Sequence, residues 1–193
     1  MRDDVPVRER LIRLAVPTRE ALAELEASSV PDLGRVIGPT LVEVFRDVYF
    51  DAPTRDLERR GAVMRLRIRD DGRRELLIDV HESREGRGVV RRRIEQEVPD
   101  LEPQQLFRSA GPALDLARAL IEPGQLRVAF EIEVARRLRT VALEGDAVAR
   151  IAYDALTVRH GDMSGELQEL ELRLPVQPSE SLAGVVDELE RLH

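Results

Sequence analysis

The 193 residues suit a single domain, 1–193, and 42% hydrophobic side chains give it a sizeable core; with 3% aromatics and no Trp, that core is aliphatic. Charged residues reach 35% while the net charge is −7, which argues against a general nucleic-acid or membrane-surface binder and leaves room for a local basic cavity. There is no Cys, hence no disulfide and no thiolate chemistry, and neither a signal-peptide pattern nor an apolar run of membrane-spanning length, so a soluble cytoplasmic protein is the expectation.

The first strand is VRERLIRLAV, residues 7–16, followed by an amphipathic helix over 18–28 with Thr18 as its N-cap and Leu22 and Leu25 as apolar contacts. The stretch VPDLGRVIGP reads as a loop, and TLVEVFRDVYFD as a strand ending at Asp51. A short helical turn over 54–60 closes at Gly61. VMRLRIR then turns at Asp70-Asp71-Gly72 into RELLIDVHES, and a Gly-rich turn leads to VVRRRIEQEV. Helices are predicted over 103–109 and 113–121, bounded by Gly111-Pro112 and Pro123-Gly124. Then come RVAFEIEVARRLRTVAL, a turn at 144–146, and the strands VARIAYDALTV and ELQELELRL. A last helix over 179–192 would carry Leu182, Val185, Val186, Leu189 and Leu192 on one stripe. The order gives an α+β fold, a mostly antiparallel sheet of about eight strands with few helices.

Charge alternates with apolarity along these strands. Arg65, Arg67 and Arg69 oppose Met64, Leu66 and Ile68. Arg91, Arg93, Glu95 and Glu97 oppose Val90, Ile94 and Val98, and Glu169, Glu171 and Arg173 oppose Leu170, Leu172 and Leu174. Residues Glu131, Glu133, Arg137 and Arg139 share a third charged parity, opposite Phe130, Ile132, Val134 and Leu138. A period of two sends the two sets to opposite faces. Either the charged faces meet water on an open sheet, or the sheet closes and the charges line its interior; the pattern allows both. All 30 basic residues are Arg, which can bind anions but cannot accept a proton, so the chain has no lysine to serve as a base.

The run VYFDAPTRDLERRGAVMRLRIRDDG resembles the signature segment of the CYTH superfamily, the triphosphate tunnel metalloenzymes. Tyr49, Phe50, Asp51, Leu57, Gly61, Arg65 and Arg67 stand in register with Y-[YF]-D-T-x-x-x-x-L-x-x-x-G-x-x-L-R-x-R, with Ala52 for the usual Thr and Met64 for Leu. Arg93, Glu95 and Glu97 match the family's R-x-E-x-E strand, Asp154 the strand ending in Asp, and Glu169 and Glu171 its C-terminal E-x-E. The resemblance implies a closed eight-stranded antiparallel β-barrel with flanking helices, its lumen holding a triphosphate or polyphosphate ligand. By position, Arg13, Arg65, Arg67, Arg93, Arg137 and Arg139 would be phosphate ligands, and Glu9, Glu95, Glu97, Glu169 and Glu171 would hold Mg²⁺ or Mn²⁺. Guanidinium forks suit phosphate oxygens, and hard cations suit carboxylates. A monomer or homodimer would fit, without nucleic-acid or membrane partners.

Departures from the family pattern bear on activity. The family's first strand reads E-x-E-x-K; here Glu9 is retained, but Leu11 replaces the second Glu and Arg13 the Lys. Asp79 stands where a lysine is expected, and Glu131 and Glu133 where basic residues are common. If Asp79 and Glu131 pair with Arg67, Arg69 or Arg91, the interior is self-neutralised, with weak binding and slow or absent hydrolysis. His81 and His160 are lone histidines beside turns. Three functions follow from the resemblance. The first is metal-dependent hydrolysis of inorganic triphosphate or another organic triphosphate. The others are a degenerate, non-catalytic module binding polyphosphate or nucleotide, and a class IV-type adenylate cyclase.

Overall fold

The computed structural model describes residues 7–28, 35–85, 88–99, 105, 109–142 and 148–176. The helix expected over 179–192, the turn at 144–146 and most of the segment 103–109 lie outside the described residues. Eight strands form a closed antiparallel barrel in the order β1-β5-β4-β3-β2-β6-β7-β8. They are β1 (Val7–Val16), β2 (Arg35–Asp51), β3 (Ala62–Arg69), β4 (Arg74–Glu85), β5 (Gly88–Glu97), β6 (Arg127–Ala142), β7 (Val148–His160) and β8 (Met163–Pro175). Closure settles the ambiguity of the alternating strands: Tyr49 pairs with Arg65, Arg67 with Glu75, and Asp79 with Arg93, so their side chains share the inner face. No helix among the described residues is long and apolar enough to cross a membrane.

The apolar parities form the outer layer, and short helices cover them. Met64, Leu66, Leu76, Ile78 and Val98 pack under α2 (Asp56–Arg59) and α3 (Pro112–Leu120), which supply Leu57, Ala113, Leu114 and Ala117. On the other side Ile12, Val16, Leu170, Leu172 and Leu174 meet Leu22 of α1 (Arg19–Ala27). Thr18 caps α1 as its sequence suggests, its Oγ1 accepting from the Ala21 N–H at 3.1 Å. Gly61 closes α2 with φ +65, a left-handed conformation that glycine adopts without strain.

Two strands differ from their expected form. β2 begins at Arg35, not residue 40; Gly38 and Pro39 are absorbed by a register shift against β6 between Ile37 and Leu41 rather than ending the strand. On β6 the charged parity faces outward: Val48 pairs with Glu131 and Arg46 with Glu133, while Asp47 pairs with Ile132 on the inside. Between Arg127 and Thr140 no β6 residue enters either aliphatic cluster. Among the described residues no helix buries this outer face in an aliphatic cluster, so it can be polar, and Phe130, Ile132 and Val134 turn inward instead. Arg136 and Arg137, adjacent in sequence, therefore divide between lumen and exterior.

Candidate functional site in the barrel lumen

The lumen holds two linked ion-pair clusters. In the first, the Asp79 carboxylate on β4 accepts from Arg93 Nε at 2.6 Å and Nη2 at 3.0 Å, from Arg65 Nη1 at 3.0 Å and from Arg91 Nη1 at 3.2 Å. Arg91 also donates to Glu9, through Nε at 2.9 Å, and Arg93 Nη1 lies 3.8 Å from the same carboxylate. Asp47 takes a two-pronged contact from Arg67, at 2.9 and 2.8 Å, with Arg65 Nε 3.1 Å away. Arg67 lies flat over the Phe45 ring, 3.7 Å from its centroid. In the second cluster Arg136 grips Asp154 at 2.8 and 2.6 Å and touches Glu171 at 3.2 Å. Glu171 also accepts from Arg13 at 3.1 Å and Arg173 at 2.7 Å, while Glu169 lies 3.4 Å from Arg13.

These pairings set the charge states. Burial works against ionising Asp79, but Arg93, Arg65 and Arg91 outweigh it and hold its carboxyl well below the usual carboxylate range. Glu171 behaves likewise: burial opposes its charge, and Arg173, Arg136 and Arg13 overcome it. Glu169 goes the other way, raised by burial despite Arg13. Arg91 is brought down to about 10, by burial and then by the charge of Arg93, with Asp79 and Glu9 pulling against both. The arginines are thus crowded, and Asp79, Asp47 and Glu171 each answer more than one of them.

At one end the lumen opens into a cavity of about 1040 Å³ whose wall includes Arg13, Tyr49, Arg65, Asp79, Arg91, His81 and His160. Tyr49 and Phe130 stack across one side, their centroids 4.4 Å apart. The His160 Nδ1 sits 2.6 Å from the Ala129 carbonyl oxygen and donates to it in the neutral ring, which leaves Nε2 unprotonated. The volume is that of a small-molecule site.

The structure sorts the expected phosphate ligands into two groups. Arg65, Arg67 and Arg93 are buried in the lumen, and Arg13 lines the cavity. Arg137 and Arg139 are on the barrel's exterior: Arg137, with a side chain 59% exposed, pairs with Glu26 of α1, and Arg139 lies over the Tyr153 ring. Their place inside is taken by Arg136, because β6 presents its even-numbered residues to the lumen. The five carboxylates expected to hold a metal divide three ways. Glu9 sits with Arg91, Glu169 and Glu171 sit with Arg13, and Glu95 and Glu97 are exposed, Glu95 reaching Arg93 at 3.5 Å and Glu97 standing opposite Glu75. Among the described residues no three Asp, Glu or His side chains converge to hold a metal ion. Glu9, Glu169 and Glu171 already face arginines. With ligand phosphates supplying further oxygens, Glu169 and Glu171, two residues apart on β8, would hold a divalent cation in exchange for their contacts with Arg13.

Sequence reasoning did not single out Asp47, Arg136 or Arg173. Asp47 carries a signal in hindsight, since it shares the parity of Phe45 and Tyr49, but its partner Arg67 is fixed only by the β2–β3 register. Asp51, read as a motif residue, does local work: its carboxylate accepts from the backbone N–H groups of Ala52, Leu57 and Glu58 and so fastens the start of α2.

The architecture is shared with solved structures of low sequence identity. A "putative adenylate cyclase" from Bacillus halodurans superposes with a TM-score of 0.62 at 16% identity, over 97% of this chain and 90% of that one. HpAC1 from Hippeastrum, a "putative adenylyl cyclase" with a dominant triphosphatase activity, superposes at 0.59 and 14% identity, over 95% and 86%. At such identities the likeness establishes the fold. No curated protein matches the sequence. The CYTH domain profile matches residues 9–193, from the first lumenal carboxylate onward, and with the closed eight-stranded barrel this places the chain in the CYTH domain family.

Proposed function

We propose that the chain binds the phosphate end of a triphosphate- or polyphosphate-type ligand in the barrel lumen, entering from the cavity between Arg13, Arg65 and Arg91. The observation that carries this reading is the convergence of buried and half-buried arginines on a cavity of small-molecule size in a net-acidic protein. Such a concentration of guanidinium groups inside a barrel serves an anion, and their planar forks match phosphate oxygens bidentately. Family membership supports the same ligand class.

Hydrolysis of inorganic triphosphate or of an organic triphosphate is the activity we propose for this site, supported by the triphosphatase activity named for HpAC1. Proton transfer would fall to His160 or His81 on the cavity wall, since the arginines cannot accept a proton. The non-catalytic module is the second reading, favoured by the engagement of Asp47, Asp79, Glu9 and Glu171 with arginines. Cyclisation of a nucleotide rests on the cyclase names alone.

A melting titration with inorganic triphosphate tests the binding. Ligand at 100 times its Kd adds about 2.7 kcal/mol, a rise of roughly 5–10 °C for a chain of this size. No rise at millimolar triphosphate, in chelator or in Mg²⁺ or Mn²⁺, sinks the proposal. Phosphate release from triphosphate, ATP and thiamine triphosphate under the same three conditions then separates the hydrolase from the binding module.

A further inference from the structure

Asp79, like Glu171, is met by three arginines, and unlike Glu171 it stands in the cavity wall. Arg93 alone would satisfy it, with two hydrogen bonds of 2.6 and 3.0 Å. Arg65 and Arg91 nevertheless both turn to the same Oδ2, at 3.0 and 3.2 Å. Three guanidinium groups from two strands, β3 and β5, thus enclose one singly charged group that is 2% exposed. Of the other lumenal carboxylates, Asp154 and Asp47 are each held chiefly by one two-pronged arginine, while Glu171 also meets three, Arg13, Arg136 and Arg173. Three guanidinium groups around a single carboxylate, one two-pronged and two through a single nitrogen, make an arrangement that suits a phosphoryl group, with its three terminal oxygens and its charge near two.

We infer that the Asp79 carboxylate occupies the position of a bound phosphoryl group, so that it competes with the ligand for Arg65, Arg91 and Arg93 and sets the affinity of the lumen. This rests on the anion-binding reading of the cavity. A ligand entering beside Arg13 meets Arg65 and Arg91 from the cavity side, but one nitrogen of each is already engaged by Asp79, whose charge repels it at close range. The lumen is therefore a phosphate site partly filled by its own chain. Replacing Asp79 with a neutral side chain of the same shape frees three arginines for the ligand.

The test compares Asp79→Asn with the intact chain by calorimetric titration of inorganic triphosphate in chelator. Glu82→Gln, which removes one charge from the Arg8–Glu82–Arg92 contact on the barrel's exterior, controls for the change in net charge. Asp79→Asn is expected to bind at least tenfold more tightly, and Glu82→Gln as the intact chain does. A folded Asp79→Asn that binds equally or more weakly overturns the inference. If Asp79→Asn is unfolded alone, millimolar triphosphate must restore a cooperative melt, because an external anion then fills the vacated position; failure to restore it also overturns the inference. The two readings part cleanly. Binding by the intact chain without tightening in the variant removes only the role of Asp79. Binding by the variant alone removes only the proposed function of the intact chain, and silence from both removes the two together.

Discussion

Arg136 and Asp154 face each other across β6 and β7 with almost no exposure, joined by hydrogen bonds of 2.8 and 2.6 Å. Burial disfavours the guanidinium charge, yet Asp154 and Glu171 more than offset that and raise Arg136 above its ordinary value. Such a pair is costly to break from one side. Asp154→Asn leaves a buried cation with only part of its compensation, and a loss of about 3–5 kcal/mol is expected in urea unfolding. The joint replacement of Arg136 by Met and Asp154 by Leu should recover most of it, since both desolvated charges disappear together. A joint variant as unstable as Asp154→Asn alone would mean that the pair is held for more than its mutual charge.

Elements depend on polar contacts that lie outside the charge network. Asp51 collects three backbone N–H groups at the start of α2, and α2 carries the buried Leu57 into the outer core. Asp51→Ala should cost about 1–2 kcal/mol in denaturant unfolding, the scale of a lost helix cap. The start of α3 is held from a neighbouring strand: Gln96 accepts from the Ala113 N–H at 3.1 Å and donates to the Ala110 carbonyl at 2.9 Å. Gly111 lies against that amide with φ +139, so Gly111→Ala brings both a forbidden backbone angle and an overlap with Gln96. A loss of about 1–3 kcal/mol is expected, with Gln96→Ala relieving only the overlap. The strands themselves were readable because their period is local; Met64, Leu66 and Ile68 announce an apolar face from eight residues of sequence, and closure makes it the outer one. The inner face of β6 was not, since the doublet Arg136-Arg137 supports either parity, and only closure against Asp47 and Asp154 decides which arginine is inside.

At the scale of the molecule, the barrel turns local alternation into a closed interior of opposed charges. That Asp79 would meet an arginine was legible as one outcome; that it meets three was not, because β3 and β5 are brought to it by registers spanning many residues. The same closure ties folding to pH. Asp79 and Glu171 both have carboxyls lowered from their ordinary values of 3.8 and 4.5, so in acid the unfolded chain binds protons that the folded chain still refuses. Their stabilisation is complete above those ordinary values and is lost as pH falls through the depressed folded ones. Glu169, raised by burial ahead of any partner, acts in the opposite sense and gives back a little stability as it protonates just above the range where the others begin to lose theirs. The urea midpoint should therefore change little between neutral pH and about pH 5, then fall steeply below about pH 4. Asp79→Asn should fall less steeply there, having one such carboxyl fewer. A midpoint that rose on acidification below pH 4 would show that the lumenal carboxylates are not ionised in the folded barrel, and the ion-pair account of its interior would go with them.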